Sequence, residues 1–296
     1  MKHLLSIFIS LAIGACCLAS CKASSAKPQA SADAKEAKVA AEELIVSTDS
    51  CLREEGKEVK CLVKVDYPTE PTELSIAVRK ILNQELNQLF MSYLMEGENL
   101  SKAYSGDLAN GNTVLKYYAD ANLNYLSKQL KDIKSADPRA NINMSSEIIL
   151  SKKEETDKYI TYNCWAYAYL GGAHGSATYY SININKTTKK VLTQTVDTTQ
   201  TKALQPILRK GVLEYLNYED GESEVTDSTL DDILFIDNGI IPLPNQVPYL
   251  AKDGVHFIYQ QYEIGPYAMG FVEFTVPYPD IKAYLTKEAL QLIKLE

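Results

Sequence analysis

Two histidines and a loose set of aromatic residues are the first places to look for chemistry in this chain of 296 residues. His174 sits in Gly171-Gly172-Ala173-His174-Gly175, the glycine-dense turn of the sequence, with several tyrosines close by. An imidazole can move protons near neutral pH, but catalysis also needs a group that orients the ring and a nucleophile or substrate within reach. The neighbouring sequence supplies neither, so His174 reads first as a turn residue whose ring bonds to local backbone. His256 stands apart from it with no H-E-x-x-H spacing, which leaves no zinc signature, and no metal is expected. Asp231-Asp232 is the strongest acidic pair and suits the first turn of a helix, where carboxylates complement the dipole. There is no G-x-S-x-G, no P-loop and no G-x-G-x-x-G, so neither a catalytic set nor a cofactor is expected. Tyrosine is the excess: 20, against one tryptophan and six phenylalanines. Its ring stacks and its hydroxyl bonds, which suits sugar faces and protein partners alike. Trp165, Tyr167, Tyr169, His174, Tyr179, Tyr262 and Tyr267 form the candidate ligand-binding set.

The elements that must carry these residues can be read from periodicity. Val59 to Val65 is strand-like and follows the turn Glu54-Glu55-Gly56-Lys57. Pro68 and Pro71 then interrupt the chain, and Thr72 is a plausible N-cap. Leu74, Ala77, Ile81, Leu82, Leu86, Leu89, Phe90 and Tyr93 recur at helical spacing, as do Val114, Leu115, Tyr118, Ala121, Tyr125, Leu126, Leu130 and Ile133. From Asn141 the period changes to two. Ile142 to Leu150, Tyr159 to Leu170 and Ser176 to Ile184 read as strands, the last two as a hairpin about the glycine turn. Trp165, Tyr167 and Tyr169 share one face of theirs, with Cys164, Ala166, Ala168 and Leu170 on the other. A helix is expected around Ala203 to Leu216, and a short helix or turn through Leu230 to Phe235. A second strand pair follows, Val255 to Tyr262 and Gly270 to Val276. Pro279 can open a terminal helix carrying Ile281, Leu285 and Leu290. Strands and helices mix without regular βαβ alternation, so the fold class is α+β, an antiparallel sheet packed with several helices.

The start of the chain is an address. Lys2, the apolar run Leu4 to Ile13 and the small residues after it have the layout of a secretory signal peptide, too short to span a bilayer. Leu18-Ala19-Ser20-Cys21 resembles the lipobox of bacterial lipoproteins, in which Cys21 would receive lipid and become the first mature residue. Several acyl chains, at about 0.8 kcal/mol per buried methylene, make such an anchor effectively permanent. Residues 1–20 are therefore read as the signal peptide and residues 21–43, rich in Ala, Ser, Lys and Glu, as a flexible tether. Lys22-Ala23-Ser24-Ser25 follows the anchor where surface-exported lipoproteins carry acidic residues, which favours a periplasm-facing position in a Gram-negative cell. The formal net charge of −8 argues against nucleic acid as a partner and is compatible with a basic one. With Cys16 and Cys17 in the signal and Cys21 lipidated, Cys51, Cys61 and Cys164 remain. Cys51 and Cys61 flank the hairpin turn and are the candidate disulfide, contributing ~2.5 to 3 kcal/mol in the chain-entropy model. Cys61–Cys164 is the competing pairing. Cys164 itself, among apolar neighbours, reads as a small buried hydrophobe.

Gly254-Val255-His256-Phe257, continued by Tyr262-Glu263-Ile264-Gly265-Pro266-Tyr267-Ala268-Met269-Gly270 and by Val276-Pro277-Tyr278, resembles the C-terminal signature of the RsiV-like domain, a domain of unknown function of the DUF3298 type. The Gly171 to Gly175 turn resembles that family's second marker, and Asp66-Tyr67-Pro68 with the long helices resembles the domain before it in the PdaC/RsiV-like superfamily. On this resemblance residues 44–155 are the PdaC-like part and 156–296 the RsiV-like part. The resemblance implies a binding module outside the cytoplasm. In its anti-sigma member the ectodomain recognises lysozyme, and in its deacetylase member a related domain accompanies a catalytic domain acting on peptidoglycan. Neither a sigma-binding segment nor a deacetylase domain is expected here, so signalling and deacetylation do not transfer. The functional expectation is a lipid-anchored, non-enzymatic envelope module that binds a basic protein such as lysozyme, or peptidoglycan fragments. A hydrolase using His174 and a structural partner in an envelope complex are the alternatives.

Overall fold

Alternation of β-branched and aromatic residues with charged ones sets the first pair of strands, β1 (Val46–Glu55) and β2 (Val59–Pro68). Val59, Cys61, Val63, Val65 and Tyr67 all point to one buried face, while Lys60 and Lys64 stay exposed on the other. Gly56 closes the turn between them at φ +61°, a conformation that side chains resist. The computed structural model describes residues 42–92, 102–220 and 225–293. The expected signal peptide, Cys21, the tether as far as residue 41, and Tyr93 lie outside the described residues.

Two helices cover the buried face. α1 (Glu73–Met91) begins at Thr72, whose hydroxyl accepts from the Ser75 N–H at 3.1 Å, and α2 (Gly111–Ala136) begins at Asn110, which accepts from Thr113 at 3.1 Å. Leu74, Val78, Leu82, Leu86 and Leu89 of α1 and Val114, Leu115, Tyr118 and Leu126 of α2 are buried in one cluster with the inward residues of the sheet. Each such side chain contributes roughly 1.5–3 kcal/mol by leaving water.

The sheet continues through β3 (Met144–Glu155), β4 (Tyr159–Tyr169), β5 (Ser176–Asn185) and the short β6 (Lys190–Val191), in the order β1-β2-β3-β4-β5-β6. Every neighbouring pair is antiparallel except β2–β3, which is parallel because α1 and α2 carry the chain back across the sheet. The α+β class holds, with a mixed sheet in place of the expected antiparallel one. α3 (Gln205–Asp220) and α4 (Asp227–Ile233) then lead to a separate three-stranded antiparallel sheet of β7 (Tyr249–Ala251), β8 (Gly254–Tyr259) and β9 (Val272–Val276). Its Val255, Phe257, Tyr259, Val272 and Phe274 share a second buried cluster with Leu208, Val212 and Leu216 of α3. The helix lies so close that a Cβ on Gly211 would come within 2.2 Å of the Phe274 ring.

The opposite face of the three-stranded sheet meets the uncovered face of the larger one, where a small apolar cluster of Tyr249, Ala251 and Ile258 with Tyr179 is joined by polar groups. The Asn183 amide behaves as an extra peptide unit: it donates to the Leu250 carbonyl at 2.9 Å and accepts from the Leu250 N–H at 2.6 Å. Gln260 treats Tyr179 in the same way, donating to its carbonyl at 2.7 Å and accepting from its N–H at 3.0 Å. Side-chain amides have one donor end and one acceptor end, which is what pairing with a lone strand edge demands.

Residues 155 and 156 lie at the turn of the β3–β4 hairpin, and the two main buried clusters meet nearer β6. Three expectations change at this level. Cys51 and Cys61 are free thiols: the register places Cys51 opposite Val63 and Cys61 opposite Arg53, so they are diagonal neighbours. Diagonal positions lie about 7–8 Å apart, beyond the reach of a disulfide without backbone movement. Asp231 and Asp232 sit in the second turn of α4, whose first turn holds Asp227. The terminal helix is broken into α5 (Tyr278–Ile281), a 3₁₀ turn and α6 (Lys287–Leu292), because Leu285 is drawn into an extended bridge with Val196. Ala289 and Leu292 face inward, and Leu290 stays partly exposed.

Candidate functional site

The outer face of β4 and β5, beyond the edge of the three-stranded sheet, carries a groove of about 630 Å³ lined by Trp165, Tyr179, Tyr215, Tyr218, Phe271 and Glu273. Three elements build it. Trp165 and Tyr179 are direct cross-strand partners in the β4–β5 hairpin. Phe271 and Glu273 are brought by β9, whose alternate residues Val272 and Phe274 bury on the far side. Tyr215 and Tyr218 come from α3, and the Tyr215 hydroxyl fixes that wall by donating to the Met269 carbonyl at 2.7 Å. The rings of Trp165, Tyr179 and Phe271 meet edge to face, with centroids 5.8–6.2 Å apart, the arrangement aromatic quadrupoles favour. Burial, with Glu273 and Cys164 nearby, pushes the Tyr179 hydroxyl up to about 12, so it stays a neutral hydrogen-bonding group.

Glu273 is the one carboxylate in the groove, and a polar cluster behind it sets its state. The Tyr249 hydroxyl donates to Glu273 Oε1 at 3.3 Å and itself accepts from Lys153. His256 lies opposite Tyr249 in the strand register and stacks on it at 4.7 Å between centroids. Its Nδ1 is 3.5 Å from Glu273 Oε1, and its Nε2 donates to Asp253 Oδ1 at 2.8 Å. Burial alone would lower the His256 pKa, but the two carboxylates outweigh it and hold it above its ordinary value. Burial likewise opposes ionisation of Glu273, yet His256 and Lys153 keep it below the usual carboxylate range. Asp253 is also lowered, chiefly by its bond from His256. Among the described residues no three His, Cys, Asp or Glu side chains converge on a metal position. Within the cluster the imidazole stands between its two carboxylates, one on each nitrogen.

The sequence-selected residues divide between this groove and the glycine turn. Trp165 and Tyr179 enter the groove. Tyr167 packs where a Cβ on Gly175 would have to go, 2.3 Å from its ring, and the Tyr169 hydroxyl donates to the Gly172 carbonyl at 3.0 Å. His174 is exposed; its Nδ1 donates to the Gly175 carbonyl at 2.9 Å and its ring stacks on Tyr267 at 4.0 Å. The Tyr262 hydroxyl reaches His174 Nε2 at 3.4 Å, and the Tyr267 hydroxyl donates to the Gly175 carbonyl at 3.2 Å. These five residues therefore brace the turn and one another. The contacts that surround His174 are backbone and tyrosine, with no carboxylate among them. Two of the three described thiols are poor nucleophiles: burial pushes Cys61 up to about 11 and Cys164 well above its ordinary value.

Phe271, Tyr215, Tyr218, Glu273 and the His256 cluster escaped the sequence reading. One signal was present, a carboxylate on the face of the last strand opposite its buried residues, Glu273 between Val272 and Phe274. A larger depression of about 790 Å³ along α3 shares Tyr218, but its charges are spent on each other. Arg209 bonds Asp227 at 2.5 Å, Asp231 at 2.8 Å and the Gly239 carbonyl at 3.0 Å, which makes it a structural clamp. No helix among the described residues is long and apolar enough to cross a membrane.

Comparison with known proteins fits this architecture. No curated relative matches the chain. A DUF3298 family protein of Bacteroides fragilis shares the fold over 84% of this chain and 97% of its own, with 19% identity and a TM-score of 0.60. One from Pseudomonas aeruginosa does so over 85% and 98%, with 17% identity and a TM-score of 0.55. The family model described as a protein of unknown function, DUF3298, matches residues 191–279, which span α3 to β9 and leave the glycine turn outside. This chain therefore carries a DUF3298-type domain, set on a six-stranded sheet within a fold that the two solved proteins share.

Proposed function

We propose that the protein is a lipid-anchored, extracytoplasmic binding module that holds an envelope ligand in the groove between Trp165, Tyr179, Phe271 and α3. The observation that carries this reading is the groove itself: aromatic walls from three separate elements around one carboxylate that is anchored from behind. Tyr218 is 86% exposed, a large ring kept in water at the rim, and such residues mark contact surfaces. Cys21 and the run before it support a position at a membrane surface outside the cytoplasm, in the leaflet facing the periplasm of a Gram-negative cell. The tether to residue 43 lets it reach. The ligand is peptidoglycan or another piece of the cell wall. A basic protein such as lysozyme is the second reading, favoured by the formal net charge of −8.

Two assays test this. Cys21→Ser should move the protein from the membrane fraction to the soluble one, and persistence in membranes after a high-salt wash would defeat the anchor. Pull-down with purified peptidoglycan, and separately with lysozyme, should retain the wild-type protein on at least one. Retention on neither would defeat the binding module. His174→Ala should leave binding intact, because that ring serves the turn.

A further inference from the structure

We propose that the groove takes the pyranose rings of an uncharged, hydroxyl-rich saccharide, stacked on its aromatic walls, with Glu273 accepting hydrogen bonds from the sugar hydroxyls. This rests on the reading of the groove as the binding site and names the class of its ligand.

The first ground is the way Glu273 is used. A carboxylate has two oxygens and about four acceptor positions. Both contacts from the cluster behind it, the Tyr249 hydroxyl and His256 Nδ1, fall on Oε1. Among the described residues no side chain or backbone donor bonds Oε2, although the residue lines the groove and its side chain is 34% exposed. One oxygen is thus anchored and the other is held ready, with its direction fixed by the anchor. Any O–H or N–H donor satisfies such an acceptor, sugar hydroxyls among them, and charge-assisted bonds of this kind are about twice as strong as neutral ones.

The second ground is charge. Two carboxylates, Glu273 and Asp253, face Lys153 and the His256 imidazole, whose protonated form they favour, within one cluster. The charge of Glu273 is therefore answered from within the protein. A cationic ligand would meet His256 and Lys153 behind the carboxylate that attracts it, and an anionic ligand would meet the carboxylate itself. A neutral ligand with many hydroxyls meets neither penalty and still satisfies Oε2.

The third ground is shape. The rings of Trp165, Tyr179 and Phe271 are tilted to one another by 60–80°, so they present both faces and edges along the groove rather than a single flat slot. Tyr218 stands over the opposite rim. Sugar rings offer alternate apolar C–H faces and polar rims, which such a surface accommodates. A volume of about 630 Å³ exceeds what one small group fills and lies in the range of extended ligands.

Trp165 is the only tryptophan in the chain, so its fluorescence reports on the groove directly. The test titrates the full chain bearing Cys21→Ser with N-acetylglucosamine oligomers from mono- to hexasaccharide, and in parallel with a lysine-rich peptide. The expected result is a saturable change in Trp165 emission with the oligosaccharides, and affinity that rises with length before it levels off. Glu273→Gln should weaken binding about tenfold or more. Tyr218→Ala, at an exposed position where folding is not at stake, should weaken it several-fold. Absence of a saturable change with every oligosaccharide would overturn the proposal, as would equal affinity in Glu273→Gln. If the peptide alone titrates Trp165 and Tyr218→Ala abolishes that response, the groove stands as the site and the saccharide class is wrong. If Tyr218→Ala leaves retention on cell-wall material unchanged while neither probe moves Trp165, the groove is not the site.

Discussion

The two faces of the six-stranded sheet are built on opposite principles. The face under α1 and α2 is filled by Val63, Val65, Ile148, Leu150, Tyr162 and Cys164, all at zero exposure, against leucines of the helices. The other face carries Thr161, Asn163, Trp165, Tyr179, Ser181 and Asn183, and it is fastened to the three-stranded sheet by amide pairs beside a small apolar cluster of Tyr249, Ala251 and Ile258 with Tyr179. Apolar packing is dense and non-directional, so the first face specifies the fold and leaves no room. Hydrogen bonds are directional and leave gaps where they end. The second face stops being covered where the small sheet ends, and the groove begins there. On the proposed function, stability and recognition are separated across the thickness of one sheet.

The sharpest break of this contrast is a cavity on the first face. Leu86→Ala, at a fully buried position, should cost ~2–5 kcal/mol of unfolding free energy in urea melts, with the emission of Trp165 in the folded state unchanged. A shifted native emission would mean that the two faces are not independent. Asn183→Ala comes next. It strips the Leu250 N–H of its partner in a buried place and leaves the Leu250 carbonyl only the Thr161 hydroxyl at 3.5 Å, and should cost ~1–3 kcal/mol. A cost near zero would show that apolar contact, not the amide, holds the small sheet.

The polar cluster predicts a pH window. The folded pKa of His256 is raised above its ordinary 6.5, so its contribution is complete below that pH and is lost as pH climbs through the folded value. Asp253 and Glu273 are lowered from 3.8 and 4.5, so theirs is present above those values and is lost as pH falls through the folded ones. Thermal stability should be greatest between these limits, and His256→Gln should remove the decline on the alkaline side. A melting temperature that runs level from about pH 6 to pH 9 in the wild type would contradict this. The smallest effect on stability belongs to Tyr218→Ala, within about 0.5 kcal/mol, because the ring stands in solvent.

The first face was largely readable in the sequence. Its helices announce themselves through leucines at helical spacing and through Thr72, and its strands through alternation, because burial against one neighbour leaves a local period. The groove was half readable for the same reason. Trp165 and Tyr179 alternate within strands of a hairpin and so meet by local register. Phe271 and Tyr218 reach them only through the packing of α3 on β9, and no spacing within a segment encodes that. His256 looked solitary because its partners Tyr249, Glu273 and Lys153 lie on three other strands, although Asp253 stood three residues away. The Cys51–Cys61 pairing failed by a slip of register, which sequence distance alone does not reveal. The parallel β2–β3 pair was hidden by the two helices that separate its strands.

On the proposed function, the module binds through its aromatic groove. The most direct measurement is co-sedimentation of the full chain bearing Cys21→Ser with purified peptidoglycan, compared with the same protein carrying Tyr218→Ala and Phe271→Ala, after circular dichroism shows both folded. The account predicts that the first protein sediments with the polymer and that the second stays in solution. Equal sedimentation of the two would contradict it.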